Sequence, residues 1–161
     1  MDRIRQGIFS SLGQTVTDAR VCDLFAGTGS YGLEALSRGA KSGLFLELNR
    51  NACGMIKDNI RIVAKSMGVT NLDAKVVQGD ALKATTLDKE KFDLIFVDPP
   101  YDMIESSASI LFNTLNRILD EDGIAVVEMP GQLEIIPEGW VLKNRLGKGN
   151  NQPTACFYKR S

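Results

Sequence analysis

Histidine is absent from the 161 residues, and cysteine is scarce: Cys22, Cys53 and Cys156 are odd in number, far apart and form no C-x-x-C pair. Without imidazole or paired thiols, neither a zinc site nor a histidine-based triad can be assembled in the common way, and no metal is expected. Cys22 in a core strand and Cys53 in a helix are most simply small apolar fillers. No apolar run reaches membrane-spanning length, and Met1-Asp2-Arg3 is not followed by a signal-type apolar segment, so a cytoplasmic protein without membrane contact is expected. A surplus of basic charge is also lacking. Net charge of −1 and a pI near 5.5 argue against a strong sequence-independent grip on nucleic acid. A local basic face built from Arg3, Arg5, Arg145, Lys148, Lys159 and Arg160 stays open, although charges near termini are ordinarily just solvated. Apolar residues at 43% and charged residues at 24% are ordinary globular values, and the length suits one domain with its own core. There is no internal repeat or low-complexity tract.

What is present is organised around Asp23-Leu24-Phe25-Ala26-Gly27-Thr28-Gly29-Ser30-Tyr31-Gly32. A short apolar strand runs into a glycine turn, and the turn feeds a helix whose apolar side is carried by Leu33 and Leu36. Glycines let a sharply bent backbone come close to a ligand, because a β-carbon would block either the bend or the approach. Gly27, Gly29 and Gly32 satisfy G-x-G-x-x-G, and Glu47 lies about twenty residues on, where an acid would hold a ribose. That pattern suits two cofactors, and Asp23 helps to separate them. In a dinucleotide fold the pyrophosphate sits over this turn, so a carboxylate at the end of the first strand would face like charge. S-adenosylmethionine instead brings an ammonium and a sulfonium, and it is the favoured cofactor; a nicotinamide-dependent oxidoreductase is the distant alternative.

Helical spacing of Ile4, Ile8, Phe9 and Leu12 predicts a helix over 2–13 that Gly13 can end. Strands are predicted at about 20–25, at 43–47, whose unbroken apolar run suggests cover on both faces, at 74–78, at 92–97 and at 124–128. Helices follow the glycine turn, with Gly39 as C-cap, and span 49–67 with Ala52, Ile56, Ile60, Val63 and Met67 on one stripe, then about 105–119. Asn59 lies beside that stripe and could reach a backbone group near the site; a plain helix-surface asparagine is the simpler reading. Residues 140–146 and 155–159 flank a Gly/Asn/Pro-rich connection and read as an antiparallel hairpin. Together these predict an α/β fold, a doubly wound, mainly parallel sheet of seven strands closed by a C-terminal antiparallel hairpin.

In such a sheet, ligands bind outside the carboxyl ends of the strands. Asp23, Glu47, Asp80 and Asp98 each fall at or just after the end of one of the first four strands. Four acids on one rim are too many for a phosphate-rich ligand, but an adenosine, a ribose diol, an ammonium and a reacting amine would use all four as acceptors. The strand ending at Val97 is followed by Asp98-Pro99-Pro100-Tyr101. Two prolines lock the backbone and remove two donors, so the Asp98 and Pro99 carbonyls can point at a ligand. An exocyclic amine on a planar ring is a poor nucleophile; accepting its two N–H groups at the Asp98 carboxylate and the Pro99 carbonyl would aim its lone pair at a methyl group. Tyr101 could stack on the base, which must be exposed or flipped to arrive there.

The run from Asp23 to Ala40, with Asp98-Pro99-Pro100-Tyr101, resembles the bacterial RsmD family of S-adenosylmethionine-dependent methyltransferases, which modify a guanine N2 in small-subunit (16S) ribosomal RNA. The similarity extends from Asp2-Arg3-Ile4-Arg5-Gln6 to the Ala155–Arg160 strand. It implies a Rossmann-like class I methyltransferase fold and a single methyltransferase domain over 1–161. Asp23 and the Phe25, Ala26, Gly27, Thr28 and Gly29 backbone would hold the methionine part, Glu47 with Leu48 the ribose side, and Asp80 with Ala81 the adenine. Asp98, Pro99, Pro100 and Tyr101 would hold the target base, with Arg5 on the RNA. The implied partner is ribosomal RNA, in the small subunit or an assembly intermediate. Two departures stand out: the family's basic, glycine-containing segment ahead of the opening helix is not among these residues, and Arg5-Gln6 stands where the family usually has Arg-Glu. The alternatives are a DNA amino-methyltransferase acting on adenine N6 or cytosine N4, and a non-catalytic S-adenosylmethionine-binding assembly partner.

Overall fold

The computed structural model describes residues 3–147 and 149–161. Asp2, at the start of the predicted first helix, and Lys148, a candidate for the basic face, lie outside the described residues. Seven strands form one sheet: β1 (Arg20–Asp23), β2 (Ser42–Glu47), β3 (Ala74–Gln78), β4 (Phe92–Val97), β5 (Leu119–Pro130), β6 (Trp140–Leu146) and β7 (Pro153–Arg160). Their spatial order is β3-β2-β1-β4-β5-β7-β6. The first five run parallel, whereas β7 inserts antiparallel between β5 and β6. The order reverses between β1 and β4, which opens a crevice at their carboxyl ends.

Four helices cover the sheet: α1 (Arg3–Leu12), α2 (Ser30–Ser37), α3 (Arg50–Ser66) and α4 (Tyr101–Ile118). On one face α1 and α2 bring Ile8, Phe9, Leu12, Tyr31 and Ala35 against Val21, Leu94, Phe96, Val126 and Phe157. Beside them Leu33, Leu36 and Ile56 close over Phe45. On the other face Ile104, Leu111, Leu115 and Ile118 of α4 pack with Cys22, Leu44, Leu46, Ile95 and Val127. The central strands are therefore apolar on both sides, and burial of each such side chain contributes about 1.5–3 kcal/mol. None of the described helices is long and apolar enough to cross a membrane.

Three elements differ from the sequence expectation. In α3 the fully buried positions are Cys53, Ile56 and Ala64, whereas Met67 of the expected stripe is 38% exposed; the helix rolls so that the small Cys53 and Ala64 face the sheet. β5 reaches Pro130, because β7 pairs with it as far as Pro153. Most relevant to function, α4 begins at Tyr101 rather than near Glu105. Pro100 is its N-cap, in an extended conformation (φ −55, ψ 139). The proline pair thus launches a helix instead of spacing one away.

Candidate active site

The glycine turn is built from backbone conformations that side chains resist. Gly27 and Gly29 have φ of +59 and +91, and Phe25, which is not a glycine, has φ +57. A left-handed aromatic residue is strained and persists only when its surroundings hold it. They do: the Phe25 ring packs on the larger core, and the Ala26 N–H donates to the Leu46 carbonyl at 3.0 Å. Gly32 serves packing, since a β-carbon there would lie 2.4 Å from the Phe45 ring.

Each of the first three rim acids is already bonded to backbone. Asp23, 1% exposed, accepts the Gly32 N–H at 3.0 Å. Glu47 accepts from the N–H groups of Gly27 and Asn49, both at 2.8 Å. Asp80 caps the turn after β3 by accepting the Leu82 N–H at 2.9 Å. Burial pushes the Asp23 carboxyl up to about 7; the Gly32 N–H opposes this, while the nearby Asp98 and Glu47 charges add to it. A group in that state favours a cation as neighbour. Asn59 is more than a helix-surface residue: its side-chain amide donates to the Thr28 carbonyl at 3.0 Å, tying α3 to the peptide between the two left-handed glycines.

Beneath this rim lies a cavity of about 540 Å³, a size that takes a nucleoside-like ligand. Its wall brings together Phe25, Gly27, Glu47, Leu48, Asp80 and Ala81 with Asp98, Pro99 and Pro100. Four further wall residues escaped the sequence reading: Leu46, Gly79, Leu82 and Met103. None of the four carried a local signal: Met103 reaches the wall because α4 starts at Tyr101 rather than near Glu105. Leu48, 63% exposed, is an apolar flap at the mouth. Among the described residues the wall carries no lysine or arginine, so its donor set suits a cationic or neutral ligand rather than a pyrophosphate.

Other predicted residues stand apart from the cavity wall. Asp23, Ala26, Thr28 and Gly29 form the turn behind it. Tyr101, 40% exposed, opens α4 at the mouth. Arg5 approaches Glu34 of α2 at 3.7 Å. Two members of the candidate basic face, Arg145 and Arg160, are tied to the fold. Arg145 donates to the Pro130 and Gly131 carbonyls and to Thr154. Arg160 donates to the Asn116 and Leu119 carbonyls at the end of α4 and lies over Trp140. Both cations satisfy backbone acceptors, as basic residues at helix and strand ends commonly do.

Comparison with known proteins agrees with this architecture. A family model described as Conserved hypothetical protein 95 matches residues 1–159. The putative rRNA methyltransferase YlbH of Bacillus subtilis is 33% identical over 137 residues, covering 83% of this chain and 72% of that protein. Ribosomal RNA small subunit methyltransferase D of Haemophilus influenzae is 31% identical over 146 residues, covering 88% of this chain and 72% of its own. Among solved structures, the putative methyltransferase yhhF from Escherichia coli aligns with a TM-score of 0.80 at 27% identity, over 99% of this chain and 86% of that one.

Proposed function

The chain belongs to the Conserved hypothetical protein 95 family, and from that membership we propose that it is an S-adenosylmethionine-dependent methyltransferase acting on ribosomal RNA. More finely, we propose transfer to the exocyclic N2 of a guanine in the 16S RNA, within the small subunit or an assembly intermediate, by a single domain spanning 1–161. The observation that carries this reading is the cavity whose wall joins Glu47 and Asp80 to Asp98-Pro99-Pro100 with no basic residue among the described ones. The names of the curated relatives support RNA as the substrate class.

The roles follow from the chemistry of each group. Glu47 and Asp80 accept from the ribose hydroxyls and the adenine amine, using lone pairs beyond those given to backbone N–H groups. Leu48, Ala81 and Phe25 supply apolar contact. Asp23, behind the turn, and the Phe25–Gly29 backbone favour the ammonium end. Bound there, the cofactor supplies an electrophilic methyl group on a sulfonium that leaves as a neutral thioether. The Asp98 carboxylate and Pro99 carbonyl accept the two N–H groups of the guanine amine and so direct its lone pair. As the new N–C bond forms, positive charge grows on that nitrogen and Asp98 stabilises it. The surplus proton then passes to Asp98 or to water. Positioning of this kind can supply on the order of 7–11 kcal/mol of the barrier. Tyr101 stacks on the base, and Arg5 meets the RNA backbone.

The test is methyl transfer from labelled S-adenosylmethionine to small ribosomal subunits from cells lacking the endogenous activity, run beside duplex DNA. Label in the ribosomal RNA supports the reading. Label in the DNA alone would replace it with a DNA amino-methyltransferase.

A further inference from the structure

Leu48 stands at the mouth of the cavity, and a residue outside the cavity wall holds its backbone. The chain leaves β2 at Glu47 and enters α3 through its N-cap, Asn49, so Leu48 is the whole connection. Pairing of β2 with β3 stops where Glu47 lies opposite Gln78, and beyond that point Leu48 has no partner strand. The peptide joining Leu48 to Asn49 is nevertheless gripped at both ends. Its N–H donates to the Glu47 carboxylate at 2.8 Å, and its carbonyl accepts from the Gln78 side-chain amide at 3.2 Å. Because a peptide unit is planar, two such anchors fix its orientation.

Gln78 is exposed and ends β3, the edge strand of the sheet. Side chains alternate along that strand. Val77 packs in the cluster that holds Leu46 and Leu82, two residues of the cavity wall, whereas Val76 packs with Phe45 and Ile56 beneath α3. Gln78 therefore rises on the α3 face and takes the Leu48 peptide from behind the cavity. A leucine that is 63% exposed has little packing of its own to hold it, so the direction of its side chain depends on its backbone. We infer that Gln78 is a positioning residue for the cofactor, donating to the Leu48 carbonyl so that the Leu48 side chain stays over the cavity mouth. This rests on the S-adenosylmethionine reading above, in which Leu48 supplies apolar contact to the bound cofactor.

The experiment is a double-mutant cycle read by calorimetry with S-adenosylmethionine. Gln78→Met keeps the length of the side chain and its neutrality but removes the donor, at an exposed position where folding should be unaffected. It is expected to weaken cofactor binding about three- to fivefold, the usual worth of one hydrogen bond, with turnover at saturating cofactor unchanged. In a Leu48→Ala background the same substitution should change the affinity by less than about 1.5-fold, because no side chain remains to be positioned. An undiminished loss in that background, or no loss in the wild-type background, would overturn the assignment. A fall in turnover at saturating cofactor would overturn it too, since Gln78 would then act on the base. Failure of the wild-type protein to bind S-adenosylmethionine at all would instead overturn the parent reading.

Discussion

Asp93 and Asp23 lie on the paired strands β4 and β1, near opposite ends of the sheet, and their surroundings push them in opposite directions. Asp93 is clamped by Arg20, whose backbone N–H, Nε and Nη2 all donate to it, at 2.8, 3.1 and 2.9 Å. Those hydrogen bonds hold its carboxyl below the usual value. Asp23 is buried with one backbone donor and two acids nearby, and its carboxyl is driven up to about 7. One acid is matched by the fold. The other is held in a costly state at the opposite edge. The difference sets apart the carboxyl edge of the sheet, where the proposed cofactor site lies.

Four substitutions would break or sharpen this contrast. The largest effect is expected for Asp98→Ala, which should lower turnover by at least about 10²–10³-fold while leaving S-adenosylmethionine affinity within a few-fold. Equal loss of both would move Asp98 from the base to the cofactor. Next is Asp23→Asn, for which about tenfold weaker cofactor binding is expected in calorimetry. The wild-type affinity should rise with pH through about 7 and then level off, as Asp23 ionises, whereas the variant should be flat over that range. Stability carries the opposite sign. The folded carboxyl binds a proton that the unfolded chain releases between 3.8 and about 7, so its contribution is full below that window and lost as pH rises through it. Ligand-free Asp23→Asn should therefore be more stable than wild type at pH 8, by about 2–4 kcal/mol in denaturant titration.

A smaller effect is expected for Asn59→Ala. Loss of its bond to Thr28 should weaken cofactor binding by a few-fold, about 1 kcal/mol, with turnover at saturating cofactor unchanged. Smallest is Asp93→Asn. The pair is partly exposed, at 41% and 37%, so less than about 1 kcal/mol should be lost at pH 7. That contribution is present above the ordinary aspartate value and disappears as pH falls through the lowered one.

The glycine turn, the rim acids and the parallel strands could be read from the sequence because each leaves a local mark: left-handed turns need glycine, and buried strands are unbroken apolar runs. Met103 leaves no such mark, and Asn59 only its place beside the apolar stripe of a helix. Their positions come from a helix that starts at Tyr101 and from the packing of α3 against the glycine turn. The bonds of the terminal arginines are likewise invisible in the sequence: Arg145 and Arg160 donate to carbonyls that β5 and α4 bring to them.

The most direct measurement is nucleoside analysis of small-subunit RNA after incubation with this protein and S-adenosylmethionine. The account predicts N2-methylguanosine as the product, absent when Asp98 is replaced by alanine. N6-methyladenosine or N4-methylcytidine would contradict it, and so would N2-methylguanosine formed equally well without the Asp98 carboxylate.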